Sequence, residues 1–219
     1  MKKMTSFILC TLTICTLLTS TSIAQTMTEK KSAVVFEEVQ LTDSVTLEDG
    51  GVKTELKSVS YGIRKKKVFL LAVVKIYVAE FFAAEPSKLR KTSDDILSSL
   101  KSAGTIQLRI TVSRDLTGTQ ISESFKEALK ANGVDSENTS QELTQILTTL
   151  NEFKQFKTGD VFSLTATWKD KMATMYLQKP GQPLQKITGP EKFATDLFSI
   201  WFGIPADPKL EDLKKSLLK

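Results

Sequence analysis

The chain has 219 residues, a formal net charge of +5, two cysteines and no histidine. The absence of histidine excludes a Ser-His-Asp triad, a His-ligated zinc and a His-held haem, since imidazole is the usual general base and metal ligand near neutral pH. The charge is only mildly basic, with one tight run at Lys65-Lys66-Lys67 and no aromatic interleaving, so no nucleic-acid partner is expected.

Lys2 and Lys3 precede an apolar run over residues 7–18, and Ser22-Ile23-Ala24 fits a small-x-small cleavage signal. The run is well short of the roughly 20 residues a spanning helix needs. Residues 1–24 therefore read as a cleaved signal peptide, and the chain as exported, periplasmic or secreted. Ile14 before Cys15 argues against a lipoprotein signal. Cys10 and Cys15 leave with the leader, so the mature chain has no disulfide and no thiol nucleophile. No Asp-x-Asp-x-Asp-Gly loop supports a carboxylate metal site, and neither a metal nor another cofactor is expected.

Residues 25–33 are polar and read as a flexible tail, and 34–219 as one domain. Residues 34–41 and 45–47 are expected as short strands, closed by Glu48-Asp49-Gly50-Gly51. Residues 53–63 alternate moderately. Residues 68–84 form the longest apolar segment of the mature chain. Its β-branched and aromatic content points to strand, with a core helix as the alternative, while Lys75 and Glu80 exclude a membrane span. A short helix is expected over 94–102 with Ser93 as its cap. Ile106, Leu108, Ile110 and Val112 mark a clean strand over 105–113.

Thr117 or Thr119 then caps a helix running to residue 131, with the apolar stripe Ile121, Phe125, Ala128 and Leu129 and the stop signal Asn132-Gly133. A second amphipathic helix over 139–153 presents Leu143, Ile146, Leu147 and Leu150. Residues 159–167 and 172–178 form a hairpin, with Trp168 at its edge. A helix over 191–202 is interrupted by Ile204-Pro205 before a last helix over 209–218. Strands first and last, with helices grouped between and after, predict an α+β domain built on a mainly antiparallel sheet.

Five segments occur in the order found in one family: Gly62-Ile63-Arg64, Lys75-Ile76-Tyr77-Val78-Ala79, Leu116-Thr117-Gly118-Thr119-Gln120, Gly159-Asp160 and Phe198-Ser199-Ile200-Trp201-Phe202-Gly203. Over residues 53–218 the chain resembles the chalcone isomerase-like proteins, in particular their secreted bacterial branch. The resemblance implies an open-faced β-sandwich, a large antiparallel sheet covered by a helical layer with a ligand cleft between. In the plant enzymes an Arg of the Gly-x-Arg motif guides the substrate phenolate, a Thr and a Tyr position a water at the ketone, and an Asn and a Ser or Thr hold the substrate. Arg64 matches the first position and Tyr77 falls on the Thr. The Tyr is Ile121 here, the Asn is Ala128, and the last polar position falls near Ile200. Apolar side chains donate nothing to an enolate oxygen, so flavonoid cyclisation is not expected. Relatives of this fold that have lost the polar set bind fatty acids.

Arg64 is then the residue of interest. In a cleft lined by Ile121, Phe125, Ile200 and Trp201, with few acidic neighbours, its guanidinium fork would match a carboxylate, and Tyr77 would supply a second donor. The alternative is a structural Arg64, paired with Glu55 or Asp160 or capping a helix C-terminus. Trp201 and Phe202 read more readily as core than as a cofactor box. The expectation is a non-catalytic protein whose partner is a hydrophobic small-molecule anion such as a fatty acid. Two alternatives stand beside it. One is an intramolecular lyase or isomerase acting on an α,β-unsaturated, chalcone-like substrate through Arg64 and Tyr77. The other is a ligand-free periplasmic partner or scaffold, which a cleft filled by Trp201 would favour.

Overall fold

The computed structural model describes residues 26–68, 72–135 and 137–219, so the expected signal peptide lies outside the described residues. In chain order the elements are β1 (Thr26–Phe36), β2 (Val39–Asp49), β3 (Val52–Val68), β4 (Ala72–Ala83), α1 (Ile96–Ser99), β5 (Ile106–Val112), β6 (Leu116–Thr117), α2 (Gly118–Ala131), α3 (Gln141–Glu152), β7 (Gln155–Phe156), β8 (Val161–Lys169), β9 (Met172–Gln178), β10 (Gln185–Pro190), α4 (Glu191–Phe202) and α5 (Pro208–Leu217). Eight strands make one antiparallel sheet in the order β1-β2-β3-β4-β5-β8-β9-β10, and β6 pairs with β7 separately.

The alternation read in β5 organises the centre. Ile106, Leu108, Ile110 and Val112 point to the helical layer and join one large core with residues of all five helices. Gln107, Arg109 and Thr111 point the other way yet are buried too. The sheet curls so far that β1 crosses this second face, where Gln107 Nε2 lies 3.4 Å from Met27 Sδ. A smaller core of Val45, Leu47, Leu56, Phe82 and Tyr176 fills the inside of the curl. Arg109 crosslinks it, donating to Glu29 at 2.8 Å and to Glu80 at 2.6 Å.

Several expectations are corrected here. Residues 26–33 are strand rather than a flexible tail, because their backbone pairs with β2 and backbone pairing is indifferent to side-chain polarity. The two strands turn at Glu37 and Glu38, with φ of 48° and 69°, a hairpin of the type usually signalled by Asn-Gly. Without those residues the turn is invisible in the sequence. The helix expected over 94–102 shrinks to α1, starting after Asp95 rather than Ser93, because Thr92 and Asp95 first close a turn of their own. Trp168 is not an edge aromatic but packs, half-buried, against the large core. β10 carried no alternation strong enough to predict. Within the segment 68–84, the strand reading holds over Ala72–Ala83.

α5 lies along β3, and side chains on one face of that strand dock it. Ser60 Oγ donates to the carbonyl of Leu217 at 2.6 Å, at the helix C-terminus. Gly62 sits under the middle, where an added Cβ would fall 2.7 Å from Ser216 Cβ and 2.8 Å from Leu213 Cδ1. Arg64 meets Asp207, the cap of the helix N-terminus. From Ser60 to Arg64 the strand advances about 13 Å, close to the roughly 15 Å length of a ten-residue helix. Gly62→Val therefore lifts α5 or bends β3. We expect it to lower unfolding free energy by about 1–3 kcal/mol, read from urea denaturation.

Candidate functional site

Arg64 on β3 and Tyr77 on β4 are directly opposed partners in the ladder, facing the helical layer. Arg64 is only 6 % exposed. It is not short of acidic neighbours, and its partner is neither Glu55 nor Asp160. Nη1 donates to Asp207 Oδ1 at 3.0 Å, Nη2 donates to Asp207 Oδ2, and Nη1 also donates to the carbonyl of Lys65. The same Asp207 accepts from the backbone N–H of Lys209 at 2.8 Å and of Leu210 at 2.9 Å, capping α5. Partial burial works to raise the Asp207 carboxyl, but the hydrogen bonds from Arg64 and the two amides outweigh it and hold it below the usual range.

The Tyr77 hydroxyl accepts from Trp201 Nε1 at 3.1 Å, and among the described residues its own proton has no acceptor. Burial pushes this phenol up to about 12, against the pull of Arg64, so it stays a neutral donor at ordinary pH. Trp201 is buried against the Phe125 ring, centroids 5.1 Å apart and nearly perpendicular. Ile121, Phe125 and Ala128 on α2 and Ile200 and Trp201 on α4 are all buried in the large core. The structure thus places all seven expected residues on the helix-facing side of the sheet or in the layer over it. It brings Arg64, Tyr77, Trp201 and Phe125 into one chain of neighbours. It does not leave them lining an open cleft: all but Tyr77 are buried, and Trp201 packs on the Tyr77 hydroxyl.

Two clefts lie elsewhere. A groove of about 610 Å³ runs between α2 and α3, lined by Ser122, Lys126, Leu129 and Leu147 among others. A hollow of about 230 Å³ lies beside Arg109 and Ser163 on the curled face. Neither includes Arg64, Tyr77 or Trp201. Among the described residues no cluster of Asp and Glu could hold a metal ion.

The corner from β6 to α2 shows why Leu-Thr-Gly-x-Gln keeps its order. Thr117 Oγ1 accepts from the Gln120 N–H at 3.1 Å and Gln120 Oε1 accepts from the Thr117 N–H at 2.8 Å, a reciprocal capping box. Gly118 packs so closely on α3 that a Cβ would lie 2.3 Å from the Leu150 carbonyl oxygen. This motif is structural, and it starts the helix that sets Phe125 against Trp201. A family model described as chalcone isomerase-like matches residues 33–219.

The chain belongs to the chalcone isomerase-like family. The crystal structure of an Arabidopsis thaliana fatty-acid binding protein superposes with a TM-score of 0.59 at 14 % identity, covering 84 % of this chain and 95 % of that one. At that identity the likeness establishes the chalcone isomerase-like fold. No curated protein matches the chain.

Asp207 is the residue that sequence reasoning missed. Asp207-Pro208 is a legible helix start, a cap followed by proline. Its second role, on Arg64 across 143 positions of chain, has no local signal. Asp207→Ala removes both roles and should cost about 1–3 kcal/mol in urea unfolding at pH 7. Because the folded carboxyl titrates below its unfolded value, its contribution is complete above about pH 4 and is lost as pH falls through the folded value. The stability gap between the parent and Asp207→Asn should therefore be level at neutral pH and narrow as pH falls below about 4.

Proposed function

We propose that this chalcone isomerase-like protein binds a hydrophobic anion such as a fatty acid, with Arg64 and Tyr77 holding the head group. The observation that carries the reading is the unused Tyr77 proton beside a buried guanidinium, under a layer of apolar side chains from α2 and α4. Ile121, Ala128 and Ile200 themselves offer no polar donors, so that part of the wall is suited to an acyl chain rather than to an enolate. The fatty-acid binding protein of like fold supports the same ligand class. A ligand carboxylate would take the place of Asp207 on Arg64, two oxygens for two, and accept the Tyr77 proton besides. Entry requires Trp201 to swing off Tyr77.

A second reading has its own observation. Asp207 already satisfies the Arg64 fork and Trp201 already fills the space over Tyr77, which is how a ligand-free scaffold or partner protein would look. Native mass spectrometry with added fatty acids, followed by titration of tryptophan fluorescence, separates the two. Binding should weaken about tenfold in Tyr77→Phe, the worth of one hydrogen bond to a charged group, and more in Arg64→Ala. With the phenol pushed up to about 12, affinity should also stay level between pH 7 and pH 10. A parent that ignores fatty acids would leave the scaffold reading standing, and variants that bind as a binding parent does would take the head-group role away from Arg64 and Tyr77.

A further inference from the structure

The Lys65-Lys66-Lys67 run and the outer part of the longest apolar segment take no part in the site above. They meet in one place. β3 pairs with β2 only as far as Lys57, and β4 pairs with β5 only from Tyr77 onward. The β3–β4 ladder nevertheless continues outward through Lys65↔Lys75, Lys66↔Val74 and Lys67↔Val73 to Val68↔Ala72. Residues 65–68 and 72–75 therefore stand clear of both neighbouring strands as a two-stranded arm. The connecting residues 69–71 lie outside the described residues, and the strands alone define the arm.

A two-stranded ribbon has no core of its own. Here Val68 and Ala72 form the outermost described rung, and inward of it Lys67 stands opposite Val73 and Lys66 opposite Val74, with Ala72 exposed and Val73 48 % exposed. The eight strand residues of the arm carry four lysines and no acid. Glu37 answers Lys75 at 2.8 Å and Lys65 at 3.8 Å at the base, which relieves two like charges placed directly opposite. Lys66 lies 3.9 Å from Glu127 with both side chains half exposed or more, a contact of little weight. Lys67 has no ion pair among the described residues.

An apolar strand paired rung by rung with a basic one is complementary to a surface that is apolar inside and anionic at its rim. We propose that the β3–β4 arm docks the protein on an anionic lipid bilayer, Val68, Ala72, Val73 and Val74 entering the interface while Lys66 and Lys67 meet head-group phosphates. The next pair inward from the arm is Arg64↔Tyr77, so a bilayer held there lies beside the candidate anion site. The docking does not depend on the fatty-acid reading, since it needs only the exposed arm.

The test is co-sedimentation of the protein, in the form that producing cells accumulate, with vesicles of phosphatidylcholine alone or containing about one-third phosphatidylglycerol. Comparison is always with the parent chain, so any contribution of its N-terminus cancels. Binding should require the anionic lipid, weaken as salt rises from about 0.05 to 0.5 M, and fall at least tenfold in the Lys66→Glu, Lys67→Glu double variant and in Val73→Asp. Lys66→Gln with Lys67→Gln, gentler to the ladder, should give an intermediate loss, and urea midpoints report that each variant is folded. Fatty-acid affinity measured without vesicles should be unchanged in these variants. A parent that stays in the supernatant, folded variants that sediment as it does, or a dimer broken by Val73→Asp without vesicle binding would each overturn the proposal, the last in favour of a contact between copies.

Discussion

The closeness of α5 to β3 is the constraint on which the candidate site depends. A helix can lie against a strand only where the strand has no bulk beneath it, and Gly62 supplies that gap. With the helix seated there, both of its ends come within reach of polar groups on the same strand face. Ser60 donates to the carbonyl of Leu217 and Arg64 takes the capping carboxylate. The Gly-Ile-Arg motif is thus a docking device in which the glycine sets the distance and the arginine sets the end point. Any ligand role of Arg64 is superimposed on that structural one.

Asp207 occupies the carboxylate position on the Arg64 fork. It presents two oxygens to the Arg64 fork while accepting two backbone amides at a helix N-terminus, where the helix dipole favours negative charge. A buried guanidinium without such a partner would carry a large desolvation cost. The protein avoids that cost by an internal carboxylate, so the affinity of any external anion is a difference between two good partners rather than the gain from filling an empty site. Tyr77 differs from Arg64 in this respect, because its donor is not already spent.

The opposite face of the sheet follows other physics. Arg109 and Glu80 form a buried charge pair enclosed by the curl, joined from β1 by the more exposed Glu29, with Thr42 N–H donating to Glu80 at 2.6 Å. Burial pushes the Glu80 carboxyl up against the pull of Arg109. Its effect is to tie β1 to the sheet centre, so that a strand of mostly exposed, polar residues is held in place by what it reaches across to. That reach also explains why β5 is buried on both faces although its sequence alternates as if one face met water.

Much of this chain was legible from its residues. The alternation of β5, the Thr117–Gln120 capping box, the stripe of α2 and the span of α4 are all local, since period and capping depend on neighbours a few positions away. The chemical candidates were legible as well, because buried or not, Arg64 and Tyr77 remain a cation and a phenol on a background of Ile121, Ala128 and Ile200. What the residues could not convey was set by distant backbone. Strand β1 forms because β2 offers it a ladder, its turn at Glu37 and Glu38 carries no glycine or asparagine, and Asp207 finds Arg64 only after α5 has settled over Gly62. The sequence by itself determined the α+β class, the approximate spans of α2, α3, α4 and α5, and the chemistry available at the site. Only the tertiary structure decided which carboxylate holds Arg64 and that Trp201 closes over Tyr77, because both are contacts between segments more than a hundred residues apart.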